Sequence, residues 1–165
     1  MSSRVGGLTV YLVRHASAGH RNDDDPSDLE RHLDTKGRRQ ADAVAALLAH
    51  AAGDPGVLRL AASPAARCIE TFEPLAERLG CEVEVWPDLL EGSSIDCTWS
   101  ALAKAAEHDE HVALCSHGDV IPELISRLQG RGMRVPGPSG CSKGSVWTLT
   151  GWDGQRFETG TYTPV

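Results

Sequence analysis

Long apolar runs are absent from this chain, and nothing in its 165 residues approaches the ~20 consecutive apolar residues of a membrane-crossing helix. Positive charge is scarce: 16 Lys and Arg stand against 23 Asp and Glu, a formal net charge of −7. That balance argues against general nucleic-acid binding, which needs cations clustered along a phosphate backbone. The five cysteines, at 68, 81, 97, 115 and 141, are odd in number, scattered and without a Cys-x-x-Cys pair. They make neither a disulfide framework nor a zinc knuckle. There is no Gly-x-Ser-x-Gly elbow for a serine hydrolase. The glycine-rich "GPSGCSKGS" at 137–145 fails as a phosphate-binding loop, because a Walker motif starting at Gly137 needs glycine where Ser142 stands. "HDEH" offers His108 and His111 with no distant third ligand for zinc. The opening "MSSRVGGLTVYLV" has one arginine and a short apolar run that reads as a core strand, not a cleavable signal, so the expected location is the cytoplasm.

What is present suits one globular domain over residues 1–165, with 41% hydrophobic and 24% charged residues. A strand is expected at 8–13. A long polar loop follows, whose Asp23–Asp25 run reads as a solvated face. Thr35 is expected to cap a helix with Val44, Leu47, Leu48 and Ala51 inward, ended by "GDPG" at 53–56. "VLRLAAS" is a second strand, and "SPAARCIETF" starts a helix with Ser63 at the cap and Pro64 in the first turn. Pro74 should kink or restart that helix. "CEVEVW" alternates as a strand, Trp99, Leu102, Ala103 and Ala106 mark a helix, and "HVALCSHG" is a strand. In "DVIPELISRLQG" Val120, Ile121, Leu124, Ile125 and Leu128 face inward, and the tail reads as a β-hairpin turning at Asp153-Gly154. The four tryptophans, 86, 99, 147 and 152, read mainly as core or hairpin packing. The alternation of strands and helices predicts an α/β three-layer sandwich around a mostly parallel central sheet.

In such sheets, ligands bind beyond the carboxyl ends of the strands. Three of those ends carry chemistry: Arg14 and His15 in "VRHA", Arg67 in "SPAAR" and His117 in "CSHGD". Two guanidinium forks facing one point make a phosphate clamp. A neutral histidine is a competent nucleophile toward phosphorus, and a second can donate to the oxygens where transition-state charge collects. The start of the helix after "SHGD" adds backbone N–H donors. The leaving group needs an acid, and Glu91 in "LLEG", at the turn after a strand, is the best placed. Glu70 and Glu73 sit on a helix whose outer face needs charge anyway, and Asp119 reads as a helix-end residue.

"LVRHASAG" resembles the arginine–histidine signature of the histidine phosphatase superfamily. The similarity continues in order through "LDTKGRRQADAVAALL", "SPAARCIET", "LLEG" and "VALCSHGDVI". Within that superfamily the chain is similar to the small SixA-type phosphohistidine phosphatases. It also resembles the phosphatase domain that some bacteria fuse to Nudix hydrolases, although no Nudix box occurs in these 165 residues. The resemblance implies a phosphoglycerate mutase-like fold and makes His15 the residue that takes the phosphoryl group. Arg14 and Arg67 then bind its oxygens and His117 completes the pocket. It supports Glu91 less directly, because the acid varies most within the family. Arg21, six places after His15 where larger members often carry asparagine, is a candidate additional phosphate contact. Arg31 matches an arginine of the Nudix-fused relatives.

The expected activity is metal-independent hydrolysis of phosphomonoesters or phosphohistidine through a phosphohistidine intermediate, with no cofactor. The partner is a phosphorylated small molecule or a phosphorylated protein. No insertion follows Glu91 that would hold an intermediate for return of the phosphate, so hydrolysis is favoured over a mutase reaction. Two alternatives stand beside it: a phosphate- or phosphoprotein-binding module with weak catalysis, and a nucleotide phosphatase working with a Nudix partner.

Overall fold

The computed structural model describes residues 7–21, 24–25, 28–53, 58–108 and 111–165. They form β1 (Thr9–Arg14), α1 (Thr35–Ala52), β2 (Arg59–Ala62), α2 (Ala66–Leu79), β3 (Val83–Val85), a 3₁₀ turn (Pro87–Leu89), α3 (Ile95–Ala106), β4 (Val112–Ser116), α4 (Val120–Gly130), β5 (Val146–Thr150) and β6 (Thr159–Thr163). The sheet order is β3-β2-β4-β1-β5-β6, with β3, β2, β4 and β1 mutually parallel and β5 and β6 antiparallel at one edge. β4 is thus inserted between β1 and β2, with Leu12 beside Leu114 and Ala61 beside Leu114 on its other flank.

Side chains alternate across a strand, and β1 shows what that does here. Val10 and Leu12 enter a cluster with Leu102 and Ala105 of α3 and Ile121, Leu124 and Leu128 of α4. Tyr11 and Val13 enter another with Val44 and Leu48 of α1 and Phe72 and Leu75 of α2. The result is a three-layer α/β sandwich, with α1 and α2 on one face and α3 and α4 on the other. β4 is buried along its whole length, as a central parallel strand covered on both faces must be. Among the described residues no helix is long and apolar enough to cross a membrane.

Several local expectations change. The cap of α1 is Asp34, not Thr35, because its carboxylate accepts the Gly37 N–H at 2.7 Å. The inner face of α1 is Gly37, Ala41, Val44, Ala45 and Leu48, while Leu47 is half-buried and Ala51 exposed. That helix ends at Gly53, and the rest of "GDPG" and Asp23 lie outside the described residues. α2 starts at Ala66 rather than at Ser63, whose hydroxyl is engaged with His117, and it runs through Pro74 without restarting. The terminal hairpin forms, but residues 151–158 make a wide loop, Thr150 pairing with Thr159, and not a two-residue turn at Asp153-Gly154. Asp153 instead shapes the loop by accepting the amides of Gln155 and Arg156. All five expected inward residues of α4 are buried. The tryptophans pack: Trp147 on Tyr162, Trp152 on Trp99 and Phe157, and Trp86 beneath the Arg59 guanidinium. His111 accepts the Thr9 amide at 2.9 Å, and no described group of three or more His, Cys, Asp or Glu is arranged to hold a metal ion.

Candidate active site

Because β1, β4 and β2 are adjacent and parallel, their carboxyl ends deliver Arg14 and His15, then Ser116 and His117, then Ser63 and Arg67, to one rim. His15 is 5% exposed and its amide donates to Ser116 O, tying the first end to the second. Its Nδ1 lies 2.8 Å from Ala16 O. A carbonyl can only accept, so Nδ1 carries the proton and Nε2 keeps its lone pair. Burial first, then the neighbouring His117, Arg67 and Arg14, holds the imidazole down at about 3 against the opposing pull of the Ala16 carbonyl. The ring is therefore neutral at physiological pH.

The His117 ring stands edge-on to that of His15, with centroids 5.4 Å apart. Its Nε2 meets Ser63 Oγ at 2.8 Å, and its Nδ1 lies 3.4 Å from Arg67 Nη2. Arg67 is 1% exposed, and its Nη1 donates to Asp28 O at 2.6 Å. The Arg14 Nη1 donates to Cys141 O at 2.7 Å, and its guanidinium lies against Gly118. The Nε atoms of both Arg14 and Arg67 are buried with no hydrogen-bond partner among the described residues. Two buried cationic donors without acceptors are costly unless an acceptor arrives, and an anion is the acceptor that also answers their charge.

Glu91 reaches this cluster from the turn after the 3₁₀ segment. Its carboxylate is 3.6 Å from Arg67 Nη2, and Arg21 Nη2 donates to both its oxygens at 2.9 Å. Arg21 thus comes to the site through Glu91. Arg31 forks onto the Asp28 carboxylate and reaches the carbonyls of Ala18 and Gly19, bracing the loop. Glu70 is engaged with His32 and the Leu33 amide, away from the histidine pair. The first amides of α4, Val120 and Ile121, donate to His117 O, closing their own turn.

The small residues after His15 are held from two sides. Ala16 N donates to Thr71 Oγ1 on α2, and Ser17 N to Gln40 Oε1 on α1. Asp34 accepts from Ser17 Oγ and Gly19 N besides its cap bond. α1 approaches so closely that a Cβ on Gly37 would lie 1.9 Å from Ser17 O. Sequence reasoning missed Asp28, a 1% exposed carboxylate in a loop of polar residues, since nothing in its neighbours signals burial. It also gave Ser63 to a helix cap, where the structure turns it to His117, while Asp119 does stand at the start of α4 as expected, with its carboxylate on Gly92 N.

The model described as the histidine phosphatase superfamily (branch 1) matches residues 10–101, a span that holds Arg14, His15, Arg67 and Glu91 and stops before β4. A curated relative, the 8-oxo-(d)GTP phosphatase of Mycolicibacterium smegmatis, is 36% identical over 155 residues, which are 92% of this chain and 47% of that protein. The chain therefore spans about half the length of that relative. Among solved structures, SixA from Agrobacterium tumefaciens superposes with a TM-score of 0.72 at 20% identity, covering 96% of this chain and 98% of that one. The protein histidine phosphatase SixA complexed with tungstate superposes at 0.71 with 23% identity, covering 95% of each. The shared fold is phosphoglycerate mutase-like.

Proposed function

The chain belongs to the histidine phosphatase superfamily, and from that premise we propose that it is a phosphatase, hydrolysing phosphomonoesters through a phosphohistidine on His15. The observation that carries this reading is the pair of buried, unpartnered guanidinium Nε atoms beside a neutral, buried imidazole. In the first step the His15 Nε2 lone pair forms a bond to phosphorus as the bond to the leaving oxygen breaks. Arg14, Arg67 and His117 balance the charge on the phosphoryl oxygens. Glu91, entering as the carboxylic acid, gives its proton to the leaving oxygen. In the second step the Glu91 carboxylate takes a proton from water while the water oxygen bonds to phosphorus. The P–N bond breaks, its electrons return to Nε2 and inorganic phosphate leaves. No cofactor enters either step. Arg21, 51% exposed and forked onto Glu91, is the candidate for a further phosphate contact.

For the substrate, the relative at 36% identity favours a phosphorylated nucleotide. The SixA likeness, at 20–23% identity, supports the fold and leaves phosphohistidine as the second substrate to assay. The test compares p-nitrophenyl phosphate, a nucleotide panel and a phosphorylated histidine-containing protein, with chelator present, on wild type and His15→Ala. Turnover that survives chelation and disappears in His15→Ala is expected, with an acid-labile phosphoryl-enzyme trapped on wild type alone. Near-normal turnover by His15→Ala overturns the mechanism. Inactivity of folded wild type on every substrate points instead to a phosphate-binding module.

A further inference from the structure

Asp119 is the residue before α4, yet its carboxylate makes no capping bond to that helix. Its Oδ2 accepts the Gly92 N–H at 2.9 Å, across 27 residues of sequence. On the other side of the same turn, the buried Ser116 hydroxyl donates to Leu89 O at 2.6 Å. The four residues Ser116–Asp119 therefore grip the turn two residues before Glu91 and one residue after it. The same short stretch carries His117, so the position of the Glu91 backbone is referred directly to the histidine pair.

Resting on the assignment of Glu91 as the acid, we propose that Asp119 is a positioning residue for proton delivery. By holding the Gly92 amide, it fixes the backbone from which Glu91 projects toward the leaving-group side. A general acid works only within hydrogen-bond reach of the atom it protonates, so a loosened turn loses proton transfer before it loses phosphate binding. A carboxylate is the stronger acceptor for this purpose, since hydrogen bonds to an ionised group are shorter and stronger than neutral ones.

The experiment is steady-state kinetics on aryl phosphates of graded leaving-group basicity, together with inhibition by inorganic phosphate. Glu91→Gln is expected to slow poor leaving groups more than good ones. Asp119→Ala should do the same, lowering kcat about tenfold for the poorest leaving group, the order expected for loss of one hydrogen bond to a charged group. Its inhibition constant for phosphate should stay within about twofold of wild type, because the clamp itself is untouched. Asp119→Asn keeps an acceptor oxygen and has no proton to give, so it should restore most of the rate. Combining Asp119→Ala with Glu91→Gln should slow the enzyme no further than Glu91→Gln alone.

Multiplicative effects in the double variant, or uniform slowing across all leaving groups by Asp119→Ala, would overturn the proposal. An Asp119→Asn variant as slow as Asp119→Ala would show that Asp119 is itself the proton donor. If Glu91→Gln slows every leaving group equally, the acid assignment fails and the positioning role falls with it. A leaving-group effect in Glu91→Gln that is missing from Asp119→Ala removes only the positioning role. Asp119 is exposed, and thermal melting of each variant checks that the fold persists.

Discussion

Adding one methyl group at Gly118 probes how closely the place of Arg14 is set. A Cβ there would lie 2.8 Å from Arg14 Cζ and 2.9 Å from its Nε and Nη2. Ordinary contacts between such atoms are about 3.5–4.0 Å, so the guanidinium must retreat by about 1 Å. It is not free to do so without loss, since Nη1 is held by Cys141 O at 2.7 Å. On the proposed role of Arg14 in orienting the reacting phosphoryl, a displacement of about 1 Å costs up to 10²-fold in rate. Gly118→Ala should therefore lower kcat/KM for p-nitrophenyl phosphate about 100-fold, equivalent to about 2.7 kcal/mol of transition-state stabilisation. The methyl meets a side chain and not backbone, so the melting temperature should move by no more than about 3 °C. The assay is steady-state kinetics beside a thermal melt on the same preparation. A folded Gly118→Ala enzyme within threefold of wild type would refute the reasoning, because Arg14 could then be shifted without consequence.

Gly37→Ala should act on the fold, since its Cβ would lie 1.9 Å from a backbone oxygen, Ser17 O, which has no rotamer to escape into. A loss of about 3 kcal/mol in urea unfolding is expected, and wild-type stability would show that α1 can slide freely from the loop. Ser63→Ala removes the hydroxyl 2.8 Å from His117 Nε2 and should cut kcat/KM about tenfold, with Ser63→Thr restoring it. Failure of threonine to rescue would assign the loss to packing. The His15 imidazole sits at about 3 in the folded protein, below its ordinary 6.5. The unfolded chain therefore takes up a proton as pH falls through 6.5, which the folded chain refuses until about 3, and stability drops across that window. Between pH 7 and 4.5 this should cost about 2–3 kcal/mol in wild type, a loss missing from His15→Asn. Parallel pH–stability curves for the two proteins would show that burial does not depress His15.

Local patterns in the sequence were informative wherever local physics decides structure. The spacing of Val120, Ile121, Leu124, Ile125 and Leu128 read correctly as the inner face of α4, because a helix repeats every 3.6 residues whatever it packs against. The apolar run into "VRH" read correctly as a strand ending in a cation and an imidazole. Cap positions were read less well. Asp34, Thr35 and Ser63 are all competent cap residues, and which of them serves depends on which other groups compete for its oxygen. Ser63 turned to His117, a partner 54 residues away, and Asp34 took on Ser17 and Gly19 as well as its own helix.

The sequence by itself determined that Arg14, His15, Arg67 and His117 sit at or just past strand ends, and that the chain alternates between strands and helices. Only the tertiary structure decided that β4 lies between β1 and β2, which sets His117 5.4 Å from His15 and 3.4 Å from Arg67. Strand order is settled by pairing between segments a hundred residues apart, and no local period encodes it. Burial of the Asp28 carboxylate, delivery of Arg21 to Glu91, and the reach of Asp119 to Gly92 have the same origin. Each is a polar side chain whose partner is chosen by the three-dimensional path of the loops. A polar loop residue looks alike in sequence whether it meets water or a guanidinium.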